Sequence, residues 1–172
     1  MKKKNKIGIL GGSFDPAHKG HLAISKEAKK RFELKKIIWA ITKKNPFKEE
    51  SKTILSKRIK DCKKIIGLNS FIKVKFYEDI IKSNKTFDLI NYLKKKGNIE
   101  IYFLLGADNL INFHKWYKSK SILKKCNILV FDRHGYKKKS LKSKIFKSIN
   151  KDKLTFIEFK KVNISSSQLR KI

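Results

Sequence analysis

The chain of 172 residues corresponds to a single domain, residues 1–172, whose core is large enough to form without disulfides or a structural metal. With 40% hydrophobic and 34% charged residues and only 2 Pro and 8 Gly, the composition excludes a collagen, a coiled coil and a wholly disordered chain. The net charge of +31 would attract polyanions. The longest apolar run, residues 99–105, is shorter than the roughly 20 residues that a helix needs to cross a bilayer. Because no secretory signal follows the basic N-terminus, we expect a cytoplasmic protein without membrane segments.

Strand and helix patterns alternate along the chain. A short apolar strand, residues 6–10, ends at Gly11-Gly12 and precedes a helix with one apolar stripe over residues 22–34. Further strands are predicted at residues 36–41, 71–76, 100–105, 127–131 and 154–159. Further helices are predicted at residues 55–66, 86–96 and 141–149 and in a short C-terminal segment after residues 165–167, with a long loop at residues 42–53. This order predicts an α/β fold, a Rossmann-like parallel sheet with helices on both faces.

The basic surface has two interpretations. Only four of the 45 basic residues are arginine (Arg31, Arg58, Arg133 and Arg170), and the lysines are spread along the whole chain. Recognition of phosphates and bases favours the planar guanidinium of arginine. We therefore favour a solvated lysine surface over a specific nucleic-acid interface, and leave the second interpretation as an alternative.

The two cysteines, Cys62 and Cys126, lie far apart in the sequence and form no C-x-x-C pair. A redox or zinc motif is therefore absent from the sequence. We expect both to be buried, reduced thiols.

The turn after the first strand carries the clearest chemical signal. It contains a glycine pair, Gly11-Gly12, and two histidines three residues apart, His18 and His21, with Gly20 between them. Adjacent glycines allow the backbone to approach a phosphate, and two imidazoles at the beginning of a helix would project toward the same point. The turn lacks the spacing of a Walker A motif and of a dinucleotide-binding G-x-G-x-x-G motif. We therefore predict a phosphate site of another kind.

Residues 11–21, Gly-Gly-Ser-Phe-Asp-Pro-Ala-His-Lys-Gly-His, resemble the signature of the nucleotidyltransferase superfamily with the H-x-G-H motif, and specifically bacterial nicotinate-mononucleotide adenylyltransferases. The resemblance runs nearly end to end. It extends to residues 45–48 (Asn-Pro-Phe-Lys), 86–88 (Thr-Phe-Asp), 106–110 with 113–116 (Gly-Ala-Asp-Asn-Leu and Phe-His-Lys-Trp), 132–136 (Asp-Arg-His-Gly-Tyr) and 164–170 (Ile-Ser-Ser-Ser-Gln-Leu-Arg). It implies transfer of the adenylyl group of ATP to nicotinate mononucleotide, with release of pyrophosphate, in NAD biosynthesis.

The resemblance also implies how ATP is bound. His18 and His21 would be the catalytic residues that contact the phosphates and steady the charge that develops at the α-phosphoryl group. The remaining ATP-binding residues would be Gly11, Gly12, Ser13, Phe14, Gly106, Asp108, Ile164, Ser165, Ser166, Ser167 and Arg170, with the Asp108 carboxylate on the ribose. Mg²⁺ would bridge phosphate oxygens and would be held by substrate and water, so no metal site made of protein side chains is expected. An N-cap role is the alternative for Asp108 and for the serines.

The second substrate would use a different set of residues. By resemblance, Trp116 would stack on the pyridine ring and Thr86 would donate a hydrogen bond to the nicotinate carboxylate. Asp15, Lys48, Tyr117 and Arg133 complete the predicted substrate-binding set, with Lys48 and Arg133 as candidates for the mononucleotide phosphate. Core packing is the alternative for Trp116.

The chain departs from the family pattern at several positions. Lys85 stands where the family has an aromatic residue before Thr86, Leu89 follows Asp88 where the family has threonine, and His134 replaces the proline of the Arg-Pro-Gly-Tyr element. The chain ends two residues after Arg170. Whether it forms a homo-oligomer is left open by the resemblance. The leading alternative function is a pantetheine-phosphate adenylyltransferase of coenzyme A biosynthesis, followed by a basic nucleic-acid-binding module, whose binding would fall steeply with salt.

Overall fold

The computed structural model of the protein describes residues 4–45, 50–149, 151–158 and residue 169. Strands and helices alternate along these residues. The strands are β1 (Asn5–Gly12), β2 (Lys36–Ile41), β3 (Ile72–Phe76), β4 (Ile99–Gly106), β5 (Asn127–Phe131) and β6 (Leu154–Ile157). The α-helices are α1 (Lys19–Phe32), α2 (Leu55–Ile66), α3 (Glu78–Ile81), α4 (Thr86–Lys94), α5 (Ala107–Ile111), α6 (Ser119–Lys125), α7 (Lys137–Leu141) and α8 (Lys144–Ser148), and short 3-10 helices span Phe113–Lys115 and Lys151–Lys153.

The strands form one parallel sheet in the order β3-β2-β1-β4-β5-β6, which confirms the predicted Rossmann-like fold. β1 is central and pairs with β2 on one side and with β4 on the other. The chain proceeds outward from β1 to β3 and then outward from β4 to β6, so the strand order reverses between β1 and β4. Ligands of such sheets bind beside this reversal, at the carboxyl ends of the strands. Gly12 and Gly106 mark those two ends.

A hydrophobic core covers each face of the sheet. On β1, Ile7 and Ile9 face a core that is completed by residues of α4, α5, α6 and α8. Leu10 faces the other core, which includes residues of α1 and α2. Because both faces of the central strands are buried, their sequences are nearly continuous apolar runs instead of alternating ones.

Several predicted elements have the observed bounds, and others need correction. The helix at residues 55–66 and the strands at 36–41 and 127–131 are confirmed. The helix predicted at 141–149 is confirmed only over α8, Lys144–Ser148, and a separate helix, α7, ends at Leu141. The Ser143 hydroxyl caps α8 by accepting a hydrogen bond from the Phe146 amide at 3.3 Å. The short helices α3, α5 and α6 were not predicted, since segments of four to seven residues show too little periodicity. The helix predicted after residues 165–167 lies outside the described residues except for Leu169, which is helical.

The two cysteines are buried and form no disulfide, as predicted. None of the described helices combines the length and the apolar character that a membrane-spanning segment requires.

Candidate functional site

The glycine-rich turn after β1 is held in place by a buried aromatic ring. Phe14 adopts a left-handed backbone conformation (φ 49°) and is only 1% exposed. Its ring stacks on the ring of Trp39 in β2, with 5.0 Å between centroids and an angle of 18° between the planes. The carbonyl of Gly12 accepts a hydrogen bond from the Thr42 amide at 3.0 Å. The turn is therefore fastened to the neighbouring strand on both sides of Ser13.

Two imidazoles contact each other at the beginning of α1, with an angle of 30° between their planes. His18 is the N-cap residue, and its Nδ1 accepts a hydrogen bond from the Gly20 amide at 3.1 Å. The His18 amide donates to Nδ1 of His21, also at 3.1 Å, and the two ring centroids are 3.8 Å apart. Because both Nδ1 atoms accept backbone N–H groups, each neutral ring carries its proton on Nε2. The predicted convergence of the two imidazoles is confirmed, and each ring has an Nε2–H donor.

Buried hydrogen bonds fix the first turns of α1 against the sheet. Indole Nε1 of Trp39 donates to the Ser25 hydroxyl at 2.9 Å, and that hydroxyl donates to the carbonyl of His21 at 2.8 Å. The His21 ring also lies 4.7 Å from the ring of Phe14, centroid to centroid. The position of His21 is thus set by contacts with both β2 and the glycine-rich turn.

Two buried charged side chains join the glycine-rich turn to the loop between β2 and α2. Asp15 is 3% exposed, and its Oδ2 accepts hydrogen bonds from the amides of Lys52 at 2.8 Å and Thr53 at 3.4 Å. Arg58, also 3% exposed, donates to backbone carbonyls of Ser13, Thr42, Lys43 and Thr53, at distances of 2.6, 2.8, 3.4 and 3.0 Å in that order. Burial lowers the pKa of the Arg58 guanidinium, while the carboxylate of Asp15 acts to raise it.

An ion pair lies at the carboxyl end of β4. Nη1 of Arg133 donates to Oδ2 of Asp108 at 2.8 Å, and both side chains are mostly buried. A Cβ at position 106 would lie 2.5 Å from Oδ1 of Asp108, so glycine at this position leaves room for the carboxylate. Gly106 is the N-cap residue of α5, and therefore the alternative of Asp108 as N-cap is wrong.

A cavity of about 360 Å³ opens at the carboxyl ends of β1, β2 and β4, within the usual size range of small-molecule sites. It brings together Thr86, Trp116 and Tyr117, three of the predicted substrate-binding residues, beside Gly11 and Gly12. Its other lining residues are Ala40, Ile41, Thr42, Asn45, Tyr77, Glu78, Ile81, Ser83, Asn84, Lys85, Leu89, Phe103, Leu105, Asn109 and Lys115. The greater part of the wall surface is apolar, and polar or charged side chains such as Thr42, Glu78 and Lys85 also line it, a combination that suits an aromatic ligand with polar groups.

Trp116 is both a core residue and a wall of the cavity. Its indole packs against the rings of Phe113, at 4.9 Å, and Phe103, at 5.9 Å and nearly perpendicular. The side chain is partly buried and lines the cavity. The two interpretations of Trp116 are therefore compatible, because packing on one side orients the ring that faces the cavity.

The predicted residues fall into groups in the fold. Thr86, Trp116 and Tyr117 line the cavity, whereas Arg133 does not: it contacts Asp108, a residue of the predicted ATP set. Asp15 is buried against the loop after β2 and is not among the cavity residues. Lys48, Ile164, Ser165, Ser166, Ser167 and Arg170 lie outside the described residues.

Arg58 and Glu78 were not predicted. Glu78 lines the cavity and accepts hydrogen bonds from the Thr42 hydroxyl and from the Lys43 amide, the latter at 3.2 Å. The sequence did contain a signal for Arg58, because it occupies a core position of the α2 stripe, at helical spacing from Leu55, Cys62 and Ile66. A charged residue at such a position is buried only when it is paired or fully hydrogen-bonded.

The acidic side chains near the site have partners other than a metal ion. The described residues contain no group of three or more His, Cys, Asp or Glu side chains that could hold one. The carboxylate of Asp15 accepts from loop amides and that of Asp108 accepts from Arg133. These side chains do not form a cage of oxygen ligands of the kind that binds Mg²⁺ without help from substrate.

Comparison with known proteins gives a consistent picture. The profile of the cytidylyltransferase-like family matches residues 9–172. A protein of Pelagibacter ubique (strain HTCC1062) that bears the name "probable nicotinate-nucleotide adenylyltransferase" is 74% identical over 171 residues, covering 99% of this chain and 95% of the relative. A protein of the same name from Aliarcobacter butzleri (strain RM4018) is 36% identical, covering 96% of this chain and 86% of the relative.

Solved structures share the fold. The nicotinic acid mononucleotide adenylyltransferase of Plasmodium falciparum, complexed with NaAD, superposes with a TM-score of 0.78 at 24% identity, covering 98% of this chain and 83% of that one. The same Plasmodium enzyme complexed with APC gives a TM-score of 0.76. At this level of identity the likeness establishes the fold alone.

Proposed function

The chain belongs to the cytidylyltransferase-like family, as a nicotinate-nucleotide adenylyltransferase of NAD biosynthesis, and we propose from this premise how its site handles the two substrates. A 5′-phosphate oxygen of nicotinate mononucleotide forms a bond to the α-phosphorus of ATP. The bond from that phosphorus to the oxygen bridging to the β-phosphorus breaks, and pyrophosphate leaves with the electron pair. Because the attacking phosphate is already ionised at neutral pH, the protein needs no general base, and positioning with charge neutralisation carries the catalysis.

The position of the cavity supports separate binding regions for the pyridine ring of the mononucleotide and for the phosphates. Thr86 and Trp116 line the cavity together with Gly11 and Gly12, and Gly12 ends β1 beside the strand reversal. A pyridine ring stacked on Trp116 would therefore direct the rest of the mononucleotide toward the glycine-rich turn. This single arrangement, a cavity of about 360 Å³ whose lining includes both Trp116 and the glycine pair Gly11-Gly12, is the observation on which the proposal rests. Arg133 is reassigned from the mononucleotide phosphate to the ATP side because it contacts Asp108.

The ATP phosphates would bind at the glycine-rich turn and the beginning of α1. The Nε2–H groups of His18 and His21 would donate to phosphate oxygens, and their donation would strengthen as charge grows in the transition state. Asp108 would accept from the ribose hydroxyls, with its carboxylate oriented by Arg133. We also propose the predicted mononucleotide-binding roles of Lys48 and Asp15. The predicted ATP-binding roles are proposed for Ser13, Phe14, Ile164, Ser165, Ser166, Ser167 and Arg170.

A divalent metal accompanies ATP in nucleotidyltransferases generally, and we propose Mg²⁺. The described side chains do not form a cage for it. The ion would be held by phosphate oxygens and water and would arrive with ATP. We also propose that residues 1–172 act as one domain in the cytoplasm.

A panel of acceptor substrates tests the proposal. ATP is supplied with nicotinate mononucleotide, nicotinamide mononucleotide or 4′-phosphopantetheine, and pyrophosphate release is measured. The carboxamide of nicotinamide mononucleotide would direct an N–H group toward protein donors that suit a carboxylate. One mispaired buried polar group costs about 1 to 3 kcal/mol. We therefore expect kcat/KM for nicotinate mononucleotide to be at least about tenfold higher than for nicotinamide mononucleotide. Turnover of 4′-phosphopantetheine alone would replace the proposal by the coenzyme A alternative.

A variant of Trp116 tests the assignment of the cavity to the pyridine nucleotide. Trp116→Ala should raise KM for nicotinate mononucleotide more than KM for ATP, because the stacking surface that it removes lies in the cavity, whereas the lost packing on Phe103 and Phe113 would affect stability. Tyr136→Ala removes an aromatic ring that is 41% exposed and outside the cavity, and serves as the matched control. Equal effects of Trp116→Ala on the two KM values would contradict the assignment of the cavity to the pyridine nucleotide.

A further inference from the structure

Arg58 lies where the two substrate regions meet, although it lines neither of them. We propose that Arg58 is a positioning residue that holds the wall of the pyridine-nucleotide cavity and the phosphate-binding turn in one fixed arrangement, so that both substrates depend on it. This inference rests on the proposed function for the identity of the two ligands. It adds a residue to which sequence analysis gave no role.

The hydrogen bonds of Arg58 join three segments of the chain. Nη1 bonds at once to the carbonyl of Ser13, in the glycine-rich turn, and to that of Thr42, at the exit of β2. Nη2 reaches the next carbonyl, that of Lys43, and Nε bonds to the carbonyl of Thr53 at the other end of the loop. We call this set of contacts the Arg58 clasp. It fastens both ends of the loop between β2 and α2 to the turn.

The clasp acts on residues that would touch substrate. Thr42 lines the cavity, and its hydroxyl is bound to Glu78, another cavity residue. Ser13 belongs to the turn that would bind ATP phosphates. A shift of either carbonyl from the guanidinium would therefore move a cavity residue relative to the glycine-rich turn.

Asp15 makes a second set of hydrogen bonds between the turn and the loop. It lies in the turn itself, two residues after Ser13, and accepts hydrogen bonds from the loop amides of Lys52 and Thr53. The turn thus offers a carboxylate to the loop amides, while Arg58 offers N–H groups to the turn and loop carbonyls. Two opposite charges, each 3% exposed, are satisfied in this way mainly by backbone groups, which is the condition for burying charge without a large loss of stability.

Lysine cannot reproduce the clasp. A guanidinium presents five N–H donors in a plane, whereas an ammonium presents three from a single atom. In Arg58→Lys the positive charge remains, but one nitrogen cannot reach the carbonyls of Ser13, Lys43 and Thr53 together. The loop and the turn would then sample arrangements that do not bind substrate.

The test measures the affinity of each ligand separately. The ligands are nicotinate mononucleotide and α,β-methylene ATP, an analogue in which the bond that would break cannot be cleaved. Their dissociation constants are measured by calorimetry at a temperature where every variant is folded. If only about a fifth of Arg58→Lys molecules have the competent arrangement, both dissociation constants rise at least about fivefold. A role in stability alone would lower the melting temperature and leave both constants unchanged.

Two variants serve as controls. Arg31→Lys makes the same chemical change at an exposed position that contacts Glu27, and should alter neither constant. Thr42→Val removes the hydroxyl that contacts Glu78 but keeps the carbonyl that Arg58 binds, so it should weaken the mononucleotide and leave α,β-methylene ATP within about twofold. Weakening of a single ligand by Arg58→Lys would overturn the proposal.

Amide hydrogen exchange of the wild-type protein provides a test that does not depend on the folding of a variant. α,β-Methylene ATP alone should slow exchange of the Lys52 and Thr53 amides at least about threefold, because a ligand on the turn stabilises the clasp. Unchanged exchange would contradict the inference. Wild-type protein that binds neither ligand, or transfers no adenylyl group, would instead contradict the proposed function, so the two failures are distinguishable.

Discussion

His21 is oriented by a hydrogen bond to one of its ring nitrogens. Its Nδ1 accepts the His18 amide in the capping box of α1, and its carbonyl accepts the Ser25 hydroxyl. These contacts determine both the orientation of the ring and the position of its proton. The donor that would meet a phosphate is therefore preorganised, which is the condition under which electrostatic stabilisation is most effective.

Replacement of His21 by Asn should separate these two functions. The amide oxygen of Asn can still accept the His18 amide, so α1 keeps its cap while the Nε2–H is lost. We expect kcat for pyrophosphate release to fall at least about 10²-fold, with smaller changes in the two KM values.

His134→Asn is the control, since that side chain lies outside the first turn of α1 and the cavity and should retain most of the activity. An His21→Asn enzyme with half the wild-type kcat would remove His21 from the catalytic set. His18→Ala is less informative, because loss of its cap would also cost about 1 kcal/mol of stability.

At the scale of elements, β1 is closely packed against its neighbours. A Cβ at Gly8 would lie 3.0 Å from Ile37, 3.1 Å from Leu34 and 3.3 Å from Leu104. All three are core residues, so none can move outward without disturbing the packing beneath the sheet. The glycine permits the segment after α1 and the start of β2 to approach the central strand.

Gly8→Ala should therefore destabilise the protein by about 1 to 3 kcal/mol through overpacking. The free energy of unfolding is measured with urea. Gly12→Ala is the matched control in the same strand, because its Cβ would meet only ordinary contacts at 3.6 Å or more, and the expected change is within about 1 kcal/mol. Equal stability of the two variants would show that the Gly8 site has more room than these distances indicate.

At the scale of the whole molecule, each of the two cores holds one buried thiol. Cys126 lies in the core that includes Ile7 and Ile9, and Cys62 lies in the core that includes Leu10. Burial raises the pKa of each thiol from 9.0 to about 12. Neither thiolate can form readily without opening a core.

Stability should consequently fall in alkaline solution. Below pH 9 both thiols are protonated in the folded and unfolded states, and their contribution is fully present. Between pH 9 and about 12 the unfolded chain loses these protons while the folded chain keeps them, so the free energy of unfolding decreases as pH rises.

Urea unfolding at about pH 7.5, 9 and 10.5 measures this slope. Lysines also deprotonate near about pH 10.4, so the informative quantity is the difference between the wild-type protein and the Cys62→Ala/Cys126→Ala variant. The variant should show the shallower slope. Parallel slopes would mean that the thiols do not contribute.

The sequence alone determined the layers of this fold and the location of its main site. Apolar strands alternating with amphipathic helices require a parallel sheet with crossovers, and one turn combined two glycines with two histidines. These signals are local: each depends on residues within one element or one turn. For that reason the helix at residues 55–66 and the convergence of His18 and His21 could be predicted without knowledge of any distant contact.

Only the tertiary structure decided which distant residues meet. It joined Arg133 to Asp108, 25 positions earlier, and buried Arg58 against the carbonyl of Ser13, 45 positions earlier. The physical reason is the same in each case: a buried charge or an unpaired backbone group must find its hydrogen-bond partner wherever the fold provides one, and sequence separation does not limit that choice.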